Sequence, residues 1–162
     1  MTETKSTIHS GGCLCGQVRF QARNLGPALS FCHCRQCLKT HGNFAAYARL
    51  SPDNLLFERQ EGLSWYASSA QAKRGFCRNC GASLFWAPTQ GGHISVSAGC
   101  LDQPTGLTPE THIFVASKGD YYRLDDGLPC YLEYADGPRC DPQGLPLDTG
   151  CTGRTGRSGR GE

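Results

Sequence analysis

The chain has 162 residues, of which 38% are apolar and 19% charged, with a net charge of +2. That is the length of a single domain with one modest core. No stretch approaches the ~18 consecutive apolar residues of a membrane helix, and the charge is too small to argue for nucleic acid or an anionic membrane as partner.

Residues 1–10 are polar, lack the apolar run of a secretory signal, and read as a flexible N-terminal arm. The expected location is therefore the cytoplasm. From residue 11 to 137, short strand patterns are separated by Gly, Pro, Asp and Asn. Residues 17–23 alternate, with Val18, Phe20 and Ala22 on one face and Arg19, Gln21 and Arg23 on the other, the pattern of a half-buried strand. A helical turn is expected at 35–40, ended by Gly42, and further strands at 44–50, 55–58, 63–67, 73–76, 83–86, 93–98 and 113–115. The fold class this predicts is mainly β, a small antiparallel β-sheet domain with short helical turns. From residue 138 the composition shifts. Leu145 and Leu147 are the only large apolar residues there, and the chain ends in three Gly-Arg steps. Such a segment cannot bury enough surface to offset its ordering entropy, so 138–162 is expected to be a disordered Gly/Arg-containing tail. Without aromatic residues it matches nucleic-acid-binding segments poorly.

Eleven cysteines dominate the composition. In a reducing compartment, thiols paired at short spacing point to metal ligation, and to Zn²⁺ before disulfides. Three groups stand out: Cys13 and Cys15 flanked by glycines, then Cys32-His33-Cys34-Arg35-Gln36-Cys37, then Cys77-Arg78-Asn79-Cys80-Gly81. The CxxC at Cys77 and Cys80 supplies two of the four ligands of a tetrahedral structural zinc. The CxC at Cys13 and Cys15 is the natural donor of the other two, with Gly11, Gly12 and Gly16 bending a backbone that would otherwise point the two sulfurs apart. Such a site staples the N-terminal strand to a hairpin more than sixty residues later. The sheets are then expected to pack around metal sites rather than around a large apolar core. The CxCxxC of Cys32, Cys34 and Cys37 supplies three sulfurs and leaves one position open, the pattern of an exchangeable site. His33, Cys100 or His112 could instead close that shell and make it a second structural site.

The three groups in this order resemble the glutathione-dependent formaldehyde-activating enzyme family, which includes the centromere protein V-like proteins. The resemblance runs from residue 11 to about 137. It rests on Gly-Gly-Cys-Leu-Cys-Gly-Gln-Val-Arg-Phe, Cys-His-Cys-Arg-Gln-Cys, Ala-Lys-Arg-Gly-Phe-Cys-Arg-Asn-Cys-Gly-Ala-Ser-Leu-Phe, Ser-Ala-Gly-Cys-Leu-Asp, His-Ile-Phe-Val-Ala-Ser-Lys and Asp-Gly-Leu-Pro. It implies a beta-tent fold with two zinc ions per chain. Cys13, Cys15, Cys77 and Cys80 would hold the structural zinc, and Cys32, Cys34 and Cys37 the exchangeable zinc linked to activity. Cys100 departs from the family pattern, which more often has Thr there.

The family reaction joins formaldehyde and glutathione to S-(hydroxymethyl)glutathione, a carbon–sulfur lyase chemistry. The expected partners are thus a small-molecule thiol, with glutathione as co-substrate, and an aldehyde. Three cysteinates leave a Zn²⁺ site at −1, which favours a thiol as fourth ligand over hydrolytic water. A fourth thiolate then requires positive charge nearby, for which Arg35, Lys39, His41 and Arg74 are candidates. Arg35 and Lys39 are four residues apart and share a helical face that could bind the carboxylates of glutathione. Phe44, Trp65 and Tyr66 are either pocket walls or core, and His112 and Lys118 fall in a family-like segment without an assigned role. The alternative is a non-catalytic zinc-binding module for protein or nucleic-acid interaction, which a strongly basic extension would favour. A third reading is thiol redox or metal sensing through CxCxxC.

Overall fold

The computed structural model describes residues 7–147. Among them, twelve strands and one α-helix follow the order β1 (Ile8–Gly12), β2 (Arg19–Arg23), β3 (Ala28–Cys32), α1 (Arg35–His41), β4 (Ala45–Leu50), β5 (Leu55–Arg59), β6 (Leu63–Ala67), β7 (Ala72–Cys77), β8 (Ser83–Pro88), β9 (Ile94–Ser97), β10 (Thr108–Ile113), β11 (Cys130–Tyr131) and β12 (Arg139–Cys140). None of the described helices is long and apolar enough to cross a membrane.

The alternation at Val18, Phe20 and Ala22 places all three side chains fully out of solvent, as a half-buried strand requires. β2 is the middle of a three-stranded sheet, β1-β2-β5, and the other nine strands form a second sheet in the order β12-β11-β10-β3-β4-β9-β8-β7-β6. Pairing is antiparallel except that β10 runs parallel to both β3 and β11. The two sheets enclose a core that includes Phe20, Leu84, Phe85 and Val96, none with accessible surface. Phe85 meets Phe20 edge-on at 5.0 Å and Phe57 at 5.8 Å. This corrects the expectation of sheets packed mainly around metal sites. Cys77 is itself part of that core cluster, with Cys13 and Cys80 packed against it, so the sulfur cluster sits at the edge of a real apolar core.

Other expectations shift in detail. His9 and Ser10, read as part of a polar arm, pair through their backbones with Ala22 and Gln21, and strand pairing of that kind asks little of side-chain polarity. Residues 1–6 lie outside the described part. The expected tail at 138–162 contributes β12, whose Cys140 is buried against Val115, Leu124 and Cys130; only 148–162 fall outside the described residues. The strand expected at 113–115 lies earlier, at Thr108–Ile113. Val115–Ser117 forms a 3₁₀ turn entered through Phe114 in the left-handed region, with φ 58°. The helical turn is as expected. Cys34 caps its start, and Gly42 ends it with φ 77°, its N–H reaching the Leu38 carbonyl at 2.9 Å.

Candidate metal centres and the adjoining cavity

Each half of the first sulfur cluster is a turn made possible by a glycine. Gly16 follows Cys15 with φ 77°, and Gly81 follows Cys80 with φ 74°, a conformation that costs a side-chain-bearing residue about 1–2 kcal/mol. The turns bring Cys13, Cys15, Cys77 and Cys80 together with all four sulfurs within 4.8 Å of one another. The sulfurs of Cys13 and Cys15 are 3.6 Å apart, and those of Cys15 and Cys77 3.7 Å. A tetrahedron with sulfur about 2.3 Å from its centre has edges of about 3.8 Å, so the donor set fits a zinc-sized ion. Val18 N–H donates to Cys13 Sγ at 3.2 Å. A hydrogen bond from the Ala82 backbone leads in lowering the Cys80 thiol to about 6.

The second cluster is assembled from neighbours in sequence. Cys32 ends β3, Cys34 is the N-cap of α1 and Cys37 lies in its first turn, and their sulfurs also fall within 4.8 Å of one another. Cys37 N–H donates to Cys34 Sγ at 3.5 Å. Hydrogen bonds from Cys32 and Cys37 hold the Cys34 thiol well below its usual range while the Cys32 and Cys37 thiols are pushed up, so the three share one thiolate. This second donor set also suits a soft ion.

No described residue completes its shell. His33 and His112 are committed elsewhere, in a buried chain with Tyr122 and Asp126. His112 Nε2–H donates to Asp126 at 2.9 Å, because a carboxylate only accepts. His112 Nδ1 lies 2.8 Å from His33 Nε2, and His33 Nδ1 lies 2.6 Å from the Tyr122 hydroxyl, so both rings are hydrogen-bonded at both nitrogens. Burial, with repulsion from His112 and Lys118, lowers His33 to about 4, which keeps that ring neutral. Cys100 donates to the Ser97 carbonyl at 2.9 Å, and burial raises its thiol to about 12.

The three sulfurs open onto a cavity of about 550 Å³ laid along one face of the large sheet. Arg74 of β7 lies there, 5% exposed. Its guanidinium donates to Cys37 Sγ at 3.7 Å, to Gln36 Oε1 at 3.2 Å and to the Tyr47 hydroxyl at 3.3 Å, while its Nε is buried without a partner. A cation this buried needs negative charge beside it, and a thiolate cluster supplies that charge.

The other candidates fall elsewhere. Arg35 and Lys39 do share a helical face, but it lines a separate recess of about 390 Å³ with Lys118 and Tyr121. His41 is bonded to the Tyr47 hydroxyl at 3.1 Å, and burial lowers its pKa, so it offers no fixed charge. Trp65 and Tyr66 lie on the edge strand β6, 38% and 63% exposed, outside the cavity. Phe44 packs on Phe31 and His33. The cavity's own walls, including Arg49, Trp86, His93, Phe114 and Tyr134, come from strands and loops far apart in sequence. They carry no local motif that could have announced them.

The sequence model of a family described as glutathione-dependent formaldehyde-activating enzyme matches residues 8–117, a span holding all seven clustered cysteines. An uncharacterized lyase of Schizosaccharomyces pombe is 30% identical over 116 residues, covering 70% of this chain and 83% of that protein. The crystal structure of a Rhodobacter sphaeroides protein superposes with a TM-score of 0.53 at 25% identity, covering 62% of this chain and 97% of that one.

Proposed function

The chain belongs to the glutathione-dependent formaldehyde-activating enzyme family, and from that premise we propose that it is a zinc-dependent carbon–sulfur lyase acting on adducts of glutathione with formaldehyde or a related small aldehyde. Cys13, Cys15, Cys77 and Cys80 would hold a structural zinc, and Cys32, Cys34 and Cys37 a second, exchangeable one. A zinc ion in the second set supplies soft Lewis acidity that keeps a bound thiol deprotonated near neutral pH.

The observation that carries this reading is a three-sulfur cluster with no fourth ligand among the described residues, opening on a cavity and neutralised by the buried Arg74. A closed structural site has no use for the cavity. The chain's own residues then have definable tasks. Arg74 offsets the negative charge of the sulfurs, and its donation to Cys37 Sγ weakens as charge leaves the cluster. The cavity walls hold the aldehyde close to the sulfurs and thin out the surrounding water. In the addition direction one C–S bond forms, the carbonyl π pair moves to oxygen, and that oxygen takes up the proton given up by the thiol. No electrons are gained or lost overall. Tyr47, with Arg74 Nη1 donating to its hydroxyl, stands at the cavity wall beside the cluster as a hydrogen-bonding group for that oxygen.

The test is metal content with and without glutathione, on the wild type and on Cys34→Ser, together with exchange NMR of glutathione and formaldehyde. The reading requires two zinc ions per chain, one lost in the variant and loosened by glutathione, and exchange faster than the enzyme-free control. A second zinc indifferent to glutathione, with no acceleration, would leave a non-catalytic module and sink the proposal.

A further inference from the structure

The charge of the cavity is one-sided. Its walls carry two arginines, Arg49 and Arg74, and not one carboxylate. Arg74 is already engaged by Cys37, Gln36 and Tyr47. Arg49 is exposed on β4, and no carboxylate among the described residues stands within ion-pair distance of it. An arginine at the wall of a cavity without acids is a receptor for an anionic group, and its planar fork suits a carboxylate.

The register places Arg49 relative to the sulfurs. Cys32 pairs with Ala45 of β4, and Tyr47, two residues on, packs with Cys32 and Cys37. Arg49 follows Tyr47 on the same face, one side-chain repeat or about 6.8 Å further along the strand. Across the sheet, Arg49 pairs with Ser95, Ser95 with Trp86 and Trp86 with Arg74. One row thus runs from Arg74, beside the sulfurs, to Arg49 at the far side. A ligand reaching from one to the other must carry its carboxylate well away from its sulfur. In cysteine the two are too close. A peptidyl thiol places a carboxylate one residue further out, an additional ~3.5 Å.

We propose that Arg49 is the carboxylate anchor of the thiol co-substrate, selecting a peptidyl thiol acid of the size of glutathione over thiols without a distant carboxylate. This rests on the reading of Cys32, Cys34 and Cys37 as a thiol-accepting site. It also moves the anion-binding role away from Arg35 and Lys39, whose recess is separate from the cavity.

The experiment measures thiol saturation of formaldehyde–thiol exchange by NMR on the zinc-loaded wild type, Arg49→Gln and Arg49→Lys. The thiols are glutathione, its diethyl ester with both carboxylates masked, and 2-mercaptoethanol. For Arg49→Gln, KM for glutathione is expected to rise about 10- to 100-fold, the scale of one lost charge-assisted hydrogen bond, with most of the loss in KM rather than kcat. Arg49→Lys should recover part of it. Wild type should prefer glutathione to its diester by a similar factor, and Arg49→Gln should not. If the wild type accelerates exchange but neither discriminates against the diester nor depends on Arg49, the anchor is refuted and the proposed function stands. If the wild type accelerates no thiol, the proposed function fails and the anchor fails with it. Melting temperatures of the variants identify any loss that reflects folding.

Discussion

Replacing Arg74 by Leu should weaken zinc binding at the proposed three-sulfur site without unfolding the protein. Arg74 Nη2 lies 3.7 Å from Cys37 Sγ. A unit charge pair at that separation is worth about 4 kcal/mol at an effective dielectric of about 20, and withdrawal of the guanidinium from water offsets part of it. The net value of a hydrogen bond to a charged group is about 1.5–3 kcal/mol, or about 10- to 150-fold in affinity. The cost should concentrate at the sulfur. Tyr47 keeps His41 as partner and Gln36 is exposed, so neither is left stranded. Competitive chelation against a chromogenic zinc indicator would give the affinities of both centres separately. The closed centre, on other elements, should be unchanged, and Arg74→Lys should fall between the wild type and Arg74→Leu. An affinity for the second ion within threefold of the wild type, in a variant that melts normally, would refute the argument that this cation exists to neutralise the sulfurs.

Ala at Gly81 should cost about 1–2 kcal/mol and, with zinc loaded on the proposed four-sulfur site, speed its release to a chelator. The added methyl meets nothing within 4 Å, so the penalty belongs to φ 74° alone, and thermal denaturation reads it. Phe85→Ala should lower stability by about 3–5 kcal/mol in urea titration; a loss under 1 kcal/mol would mean that the metal sites, not the apolar core, hold the sheets together. Hydrogen bonds from Arg19 hold the Asp102 carboxyl below its usual range. Its contribution is therefore present above about pH 3.9 and lost as pH falls through the lower folded value. Asp102→Asn should remove that acid-side loss, with an effect under about 1 kcal/mol for so exposed a pair.

The cysteine grouping was legible because spacing encodes local geometry. CxxC-Gly and CxC-Gly are turns whose shape is set by the residues themselves, and two such turns need each other to complete four ligands. β2 was legible because alternation reports a buried face directly. β10 was not, since Thr-Pro-Glu-Thr-His shows no apolar alternation and is held by parallel pairing with β3, a contact eighty residues away in sequence. The helical turn placed Arg35 and Lys39 on one face correctly, but periodicity cannot say which face of a helix looks into a cavity. Here Gln36 and Cys37 do, while Arg35 and Lys39 line the recess behind them. Arg74 was one candidate among four, and its distinction, a contact with a sulfur thirty-seven residues away, exists only in the folded sheet. The histidine chain behind the second cluster was hidden for the same reason. Its members, from His33 to Asp126, are joined by hydrogen bonds across up to 89 residues of sequence.

The two sulfur clusters also differ in when they can exist during synthesis. Cys32, Cys34 and Cys37 span six consecutive residues, whereas the other site must join segments 62 residues apart, a loop whose closure costs about 3–4 kcal/mol of chain entropy. On a ribosome adding about 5–20 residues per second, Cys80 follows Cys37 by about 2–9 s. For that interval the growing chain displays three neighbouring thiols with no fold around them, open to any soft cation present. An ion captured in that interval would be selected by the sulfurs alone, before there is a folded cavity to influence which ion it is.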